Sequence, residues 1–205
     1  MAGALATAGY DVTVVAPTHE MSGSWSAMVR IAYDDHFTFE SRRISALPDV
    51  PAYAVDGPPA LCVIAGALDA FEFVPDVVVA GINPGFNCGR STLHSGTVGA
   101  VLTAANWGVS GLAVGTAADD VIHRRTATDY ALAALASLCD QPTPTVVNLN
   151  VPNRPASDVL GIRQTSLAPY GAVRTVVVGR WPGRIDVVRR PTIADVPAGS
   201  DTAAV

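Results

Sequence analysis

Short β-branched runs alternate with amphipathic helical stretches over the first three quarters of the chain, the rhythm of a parallel sheet covered on both faces. Residues 11–16 (DVTVVA) read as a strand stopped by Pro17. Residues 77–82 form an all-apolar run, as expected of a central strand buried on both faces, and 111–115 and 145–151 (TVVNLNV) supply two more strands. Helices fill the intervals. Residues 1–7 read as the tail of a helix closed by Gly9. Pro58 and Pro59 suit a first helical turn, after which Leu61, Ile64, Ala65 and Leu68 recur on one face. Ser95 is placed to cap a helix carrying Val98, Val101, Leu102 and Ala105 and ending at Gly108. A further helix spans 123–139, with Ala127, Tyr130, Ala131, Ala134, Leu135 and Leu138 inward.

Two stretches break this rhythm. A Gly/Ser loop at 21–26 leads into an irregular segment through Val50, where Val29, Ile31 and Tyr33, then Phe37 and Phe39, alternate as in a strand. From Leu160 the texture changes, and 174–178 and 185–189 flank GRWPGR at 179–184, a β-hairpin with a loose turn. The expected fold is α/β: a doubly wound, mostly parallel sheet over 1–157, followed by a hairpin extension over 158–205.

Composition narrows the classes. Hydrophobic residues make up 49% of the 205 and charged ones 15%, so the chain has apolar surface enough to form a core of one large domain. Thirteen basic residues against eighteen acidic ones leave a net charge of −5, without a basic stripe for a nucleic-acid backbone. The apolar runs are too short to span a bilayer, and no basic segment leads into an apolar one at the N-terminus; a soluble, unexported protein is expected. Cys62, Cys88 and Cys139 are widely spaced, with no CxxC, which fits reduced thiols in cytoplasm.

In open α/β sheets, ligands sit beyond the carboxyl ends of the strands, and three stretches occupy that position: 17–24, 81–91 and 94–97. In GINPGFNCG, Gly81, Gly85 and Gly89 let backbone N–H groups turn toward a ligand, while Asn83 and Asn87 supply amides. The plain alternative is a glycine-rich turn. The stretch is neither GxGxxG nor the GK[ST] of a P-loop, which counts against dinucleotide and NTPase readings. HSGTV (94–98) puts Ser95, Gly96 and Thr97 at a helix start, where free amides and the helix dipole favour a phosphate. Ser95 serves equally well as a simple N-cap. The Ser22-Gly23-Ser24 turn can offer a hydroxyl to a metal or a phosphate. His94 falls at this site, whereas His19, His36 and His123 lack ligand spacing and read as surface or satisfied residues. Asp34-Asp35, inside the irregular segment, reads as a solvated turn.

The series DVTVVAP, MSGS, GPPALCV, PDVVVAGINPGFNCG, HSGTVGA and TVVNLNVP resembles the SurE family of metal-dependent nucleoside monophosphate phosphatases (5'/3'-nucleotidases) over residues 1–152. The resemblance implies a Rossmann-like core that binds a divalent cation, Mg²⁺ or Mn²⁺, with Ser22 and Asn83 among its ligands. It implies a phosphate neighbourhood of Asn87, Ser95, Gly96 and Thr97, nucleoside monophosphates as substrates, and a homodimer or tetramer joined through the C-terminal hairpin around Trp181. The family's adjacent aspartate pair belongs to an NDDG motif that does not occur in these 205 residues, and Asp34-Asp35 lies on the wrong side of Ser22 to replace it. No catalytic carboxylate is therefore assigned. A hard cation held without anionic oxygens is held weakly, so the alternative implied is a catalytically impaired nucleotide- or phosphate-binding relative. In GPPALCV, Pro58 and Leu61 stand where the family generally has Thr and Asp. The tail GSDTAAV is similar to the family's late Gly-Thr-Asp segment.

Overall fold

A computed structural model describes residues 1–21, 36–119, 121–191 and 196–205. The expected helices are α1 (Ala2–Thr7), α2 (Pro59–Ala67), α3 (Gly96–Asn106) and α4 (Arg124–Cys139), with a short α5 (Asp201–Ala204) at the end. The strands are β1 (Val14–Pro17), β2 (Phe39–Ile44), β3 (Leu47–Val55), β4 (Val77–Pro84), β5 (Ser110–Thr116), β6 (Val146–Val151), β7 (Val173–Trp181) and β8 (Arg184–Pro191). Pro59 opens α2 at a position where its missing N–H costs nothing.

The central layer is the parallel sheet β4-β5-β6, in which every residue of β5 is buried. On one face, Ala127, Ala131, Leu135 and Leu138 of α4 pack with Leu112, Val114, Leu149 and Val151. On the other, Val98, Val101, Ala100 and Ala104 of α3 pack with Val63, Val109 and Ala113. Helices on both faces make the doubly wound α/β architecture expected of the alternating pattern. Two apolar positions assigned inward face water instead: Leu68 caps the end of α2 and Leu102 lies on the outer face of α3, both about half exposed.

The parallel strands, expected in one sheet, are divided between two. β1 pairs parallel with β3, which also pairs antiparallel with β2. Among the described residues β1 and β4 are thus edge strands of different sheets, each hydrogen-bonded on one side. Together with α1 and α2 they line a cleft of about 1090 Å³, walled by Leu5, Val15, Cys62, Val77 and Val79 among others. This explains why Val77–Ala80 are half-buried, although their sequence predicts full burial.

The pairing of β2 with β3 falls in the segment read as irregular. Pro48 and Pro51 make a central strand improbable on sequence grounds, because proline cannot donate to a ladder. The structure accommodates them by confining two-sided pairing to Ala52–Val55, beyond both prolines. Phe39 and Tyr53 then meet Phe71 edge-on and stacked, at centroid distances of 5.0 and 4.4 Å. Val29, Ile31, Tyr33 and the Asp34-Asp35 pair lie outside the described residues.

At the C-terminal side, β7 and β8 form the expected hairpin but run longer than the alternation implies. The turn is tight, not loose: only Pro182 and Gly183 separate the strands, and Gly183 takes φ +73°, a conformation glycine adopts without steric cost. Among the described residues no helix is long and apolar enough to cross a membrane.

Candidate functional site

β4 ends beside β5, so the loop that follows it emerges at the carboxyl edge of the central sheet. Asn83 is in register with Gly115, and its Nδ2 donates to the Gly85 carbonyl at 2.8 Å. That bond fixes the amide with Oδ1 free of any protein donor among the described residues. Gly85 donates its N–H to the Thr116 carbonyl at 2.6 Å, drawing the loop back over β5. Gly115 makes this approach possible, since a Cβ there would come within 2.7 Å of the Gly85 carbonyl and 3.0 Å of Asn87 Nδ2.

Asn87 is the hub. Its backbone N–H donates to Asn150 Oδ1 at 2.7 Å, and its carbonyl accepts from Asn148 Nδ2 at 2.8 Å and Asn150 Nδ2 at 3.0 Å. Its side-chain Oδ1 accepts from Ser95 Oγ at 2.7 Å, with a longer contact of 3.5 Å from Asn83 Nδ2. Asn87 is 4% exposed, yet its Nδ2 has no hydrogen-bond partner among the described residues. Buried N–H groups without partners are rare and costly.

Ser95 is the N-cap of α3 and makes a second bond besides. Its Oγ accepts from Val98 N at 3.2 Å, the N-cap bond of α3, while its hydroxyl hydrogen goes to Asn87. The cap therefore also joins the helix to the Asn loop. The amides of Gly96 and Thr97 are not taken by any hydrogen bond among the described residues, as the first turn of a helix requires. Thr97 also borders the cleft between β1 and β4.

Asn83, Asn87, Ser95, Gly96 and Thr97 are thus gathered at one place. Ser22 and Ser24 lie outside the described residues. His94 ends the 3-10 turn Gly89–His94 and is exposed. His19 lies 3.8 Å from Asp56. Leu61, where an aspartate is the family's usual residue, is 3% exposed and packs across Gly57, whose absent Cβ would lie 2.4 Å from Leu61 Cδ2. It is a core residue.

Sequence reasoning missed Asn148 and Asn150. Two amides at i and i+2 point to the same face of a strand, and in the otherwise apolar TVVNLNV that polar pair was the available signal.

The donor set is neutral. Among the described residues no three His, Cys, Asp or Glu side chains cluster closely enough to hold a metal. Asn83 Oδ1 alone does not fit the preference of Mg²⁺ or Mn²⁺ for several oxygens with carboxylates among them.

Beside the site, burial pushes the Cys88 thiol up to about 12, with the negative charge of Asp201 adding to the effect. Burial likewise raises Cys62 to about 12, offset slightly by a backbone hydrogen bond. Iodoacetamide at pH 8 should therefore modify the exposed Cys139 in the folded chain and reach Cys62 and Cys88 only after denaturation. Mass spectrometry reads this directly, and modification of Cys88 in the folded chain would contradict its burial. Because both thiols ionise more readily when unfolded, their stabilisation is complete below pH 9 and declines as pH rises from 9 toward 12.

The family model "Survival protein SurE" matches residues 1–172. The chain is 34% identical over 176 residues to a 5'-nucleotidase SurE of Stenotrophomonas maltophilia, covering 82% of this chain and 62% of that protein. It is 32% identical over 210 residues to a 5'-nucleotidase SurE of Legionella pneumophila, covering all of this chain and 79% of that one. The aligned part thus spans less than two thirds of the Stenotrophomonas relative. The crystal structure of the SurE protein from Aquifex aeolicus superposes with a TM-score of 0.75 at 25% identity, over 100% of this chain and 81% of that one. The family model over residues 1–172, with a relative 32% identical that aligns over all of this chain, places this chain in the SurE family.

Proposed function

We propose that the chain is a phosphomonoesterase of nucleoside monophosphates, releasing nucleoside and inorganic phosphate by attack of water on phosphorus. The observation that carries this reading is the 2.7 Å bond between Ser95 and Asn87, which holds two free helix amides and a buried, unpartnered amide beside one another. Gly96 and Thr97 N–H groups are suited to the non-bridging oxygens of a phosphate, and the α3 dipole favours its negative charge. Fixed donors of this kind lower the barrier most where charge accumulates during phosphoryl transfer. Relatives that carry the name 5'-nucleotidase or 5'/3'-nucleotidase SurE support the substrate class.

The cofactor proposed is Mg²⁺ or Mn²⁺, with Asn83 and Ser22 as neutral ligands; when bound, such a cation supplies Lewis-acid activation of water. The described residues alone do not complete that site, and the steps attributed to the protein here are binding and charge stabilisation. The neutral donor set favours a second reading, a relative that binds the nucleotide without hydrolysing it. Incubation of the 205-residue chain with AMP or GMP at saturating Mn²⁺ separates the two. Phosphate release lost in Asn83→Ala supports the enzyme. Calorimetric binding without release supports the second reading, and neither result would reject both.

The unpaired cysteines support a cytoplasmic location. We propose residues 158–205 as an oligomerisation extension that makes a homodimer or tetramer. Val173, Val178, Trp181, Ile185 and Val187 of the hairpin are each more than half exposed, an apolar surface that a second copy would bury. Ile185→Asp should reduce the mass seen by light scattering to that of the 21.1 kDa chain, and an unchanged oligomer would remove the hairpin from the interface.

A further inference from the structure

The C-terminal turn reaches back to the Asn loop through one carboxylate. Asp201 is 9% exposed. Its Oδ2 accepts from Gly89 N at 2.8 Å, and its Oδ1 accepts from Ala168 N at 2.9 Å and Thr202 N at 2.8 Å. Three backbone donors offset the cost of burying a charge. Those donors come from three separate segments of the chain.

From Gly89 the restraint runs in both directions. Asn87 lies two residues before it. After it, the Gly89 carbonyl accepts from Thr92 Oγ1 at 2.9 Å, and the Thr92 carbonyl accepts from Ser95 N at 3.0 Å. Asp201 is therefore bonded to the bend between the two residues whose mutual hydrogen bond shapes the site. The segment around residue 170 closes the arrangement. Arg90 N donates to the Ala168 carbonyl at 3.1 Å, and Thr202 Oγ1 donates to the Tyr170 carbonyl at 2.7 Å.

We propose that Asp201 is a positioning residue for the phosphate site: its bond to Gly89 sets the direction in which Asn87 and the start of α3 face. This rests on the reading of that site as a phosphate cradle. It gives the C-terminal turn a role in binding, although the turn itself touches no substrate.

Asp201→Asn isolates the bond. An asparagine has one carbonyl oxygen, and the orientation that keeps Ala168 and Thr202 satisfied turns its NH₂ against the Gly89 N–H. The tail stays docked while the loop is released. Thr202→Val is the contrast, since it removes the bond to Tyr170 and a long 3.4 Å contact to Asp201 Oδ1 but leaves the Gly89 bond to Oδ2.

Calorimetry with inorganic phosphate and hydrogen exchange of the full chain, followed by NMR, read the outcome. Asp201→Asn is expected to weaken phosphate about tenfold or more, to speed exchange at the Gly89 amide, and to shift the Asn87 side-chain resonances. Thr202→Val is expected to lower the melting temperature and keep phosphate affinity within about twofold. Should Asp201→Asn fail to fold, Asp201→Ser, too short to reach Gly89 or Ala168, takes its place, with the same loss of phosphate affinity and faster Gly89 exchange expected together with a lower melting temperature. Equal loss of affinity in both contrasts, or unchanged affinity in Asp201→Asn, would overturn the proposal. If the parent chain binds no phosphate, the cradle reading fails; the positioning claim then stands or falls on whether the Gly89 exchange and the Asn87 resonances move.

Discussion

Asn87→Ala is expected to reduce phosphate affinity and any phosphate release by about 100-fold or more, in the range seen when a preorganised donor is removed. The fold should survive the change. Asn148 and Asn150 hold Asn87 through its main chain, so their bonds do not depend on its side chain. What disappears is the acceptor for Ser95 Oγ and the buried Nδ2. A net hydrogen bond contributes about 1 kcal/mol, so the loss of stability should be of that order, well short of unfolding. Asn87→Asp sharpens the test. It keeps an acceptor for Ser95 but exchanges the donor for a second, buried oxygen that no donor faces, so the urea midpoint should fall while calorimetry shows phosphate binding abolished. Near-parental phosphate affinity in Asn87→Asp would mean that the phosphate sits elsewhere.

Gly89→Ala should have the largest structural effect of any single methyl addition in the loop. Gly89 takes φ +57°, a region L side chains rarely adopt, and its Cβ would fall 2.1 Å from the Tyr170 carbonyl oxygen and 2.7 Å from Gly171 N. Those atoms are backbone and cannot rotate away. Relief requires the 168–171 segment to retreat, which breaks the Arg90–Ala168 bond and pulls on Asp201. Overpacking costs about 1–3 kcal/mol, and a non-glycine residue in this conformation adds of order 1 kcal/mol or more. We expect a total near 3 kcal/mol, read as a lower urea midpoint, accompanied by loss of phosphate binding. An alanine variant as stable as the parent would show that the tail does not press on the loop.

How legible these features are in the sequence depends on how local their causes are. The alternating pattern locates α2, α3, α4 and the β4-β5-β6 sheet because burial on a defined face imposes its period on the residues themselves. Asn83, Asn87 and Ser95 are likewise recognisable, since the glycines that shape the loop and the serine that caps α3 are sequence neighbours. β3 was hidden by Pro48 and Pro51, whose tolerance depends on where its partners stop. The split between the two sheets was hidden too, because a strand's sequence says how buried it should be but not which edges meet. Asn148, Asn150 and Asp201 act across 61, 63 and 112 residues of chain. No local pattern encodes a carboxylate that will find an amide at that separation. Leu61 shows the converse: a departure from the usual residue at a motif position proved to be ordinary core packing over Gly57.

The central claim is that one cradle, made of the α3 amides and the Asn87 side chain, receives the phosphate of a nucleoside monophosphate. Titration of the ¹⁵N-labelled chain with AMP in the presence of Mg²⁺, followed residue by residue, tests it most directly. The account predicts saturable shifts at the Gly96 and Thr97 amides and the Asn87 side-chain NH₂, absent in Asn87→Ala. Saturation that leaves those three unmoved while other residues shift, or no response to AMP at all, would contradict it.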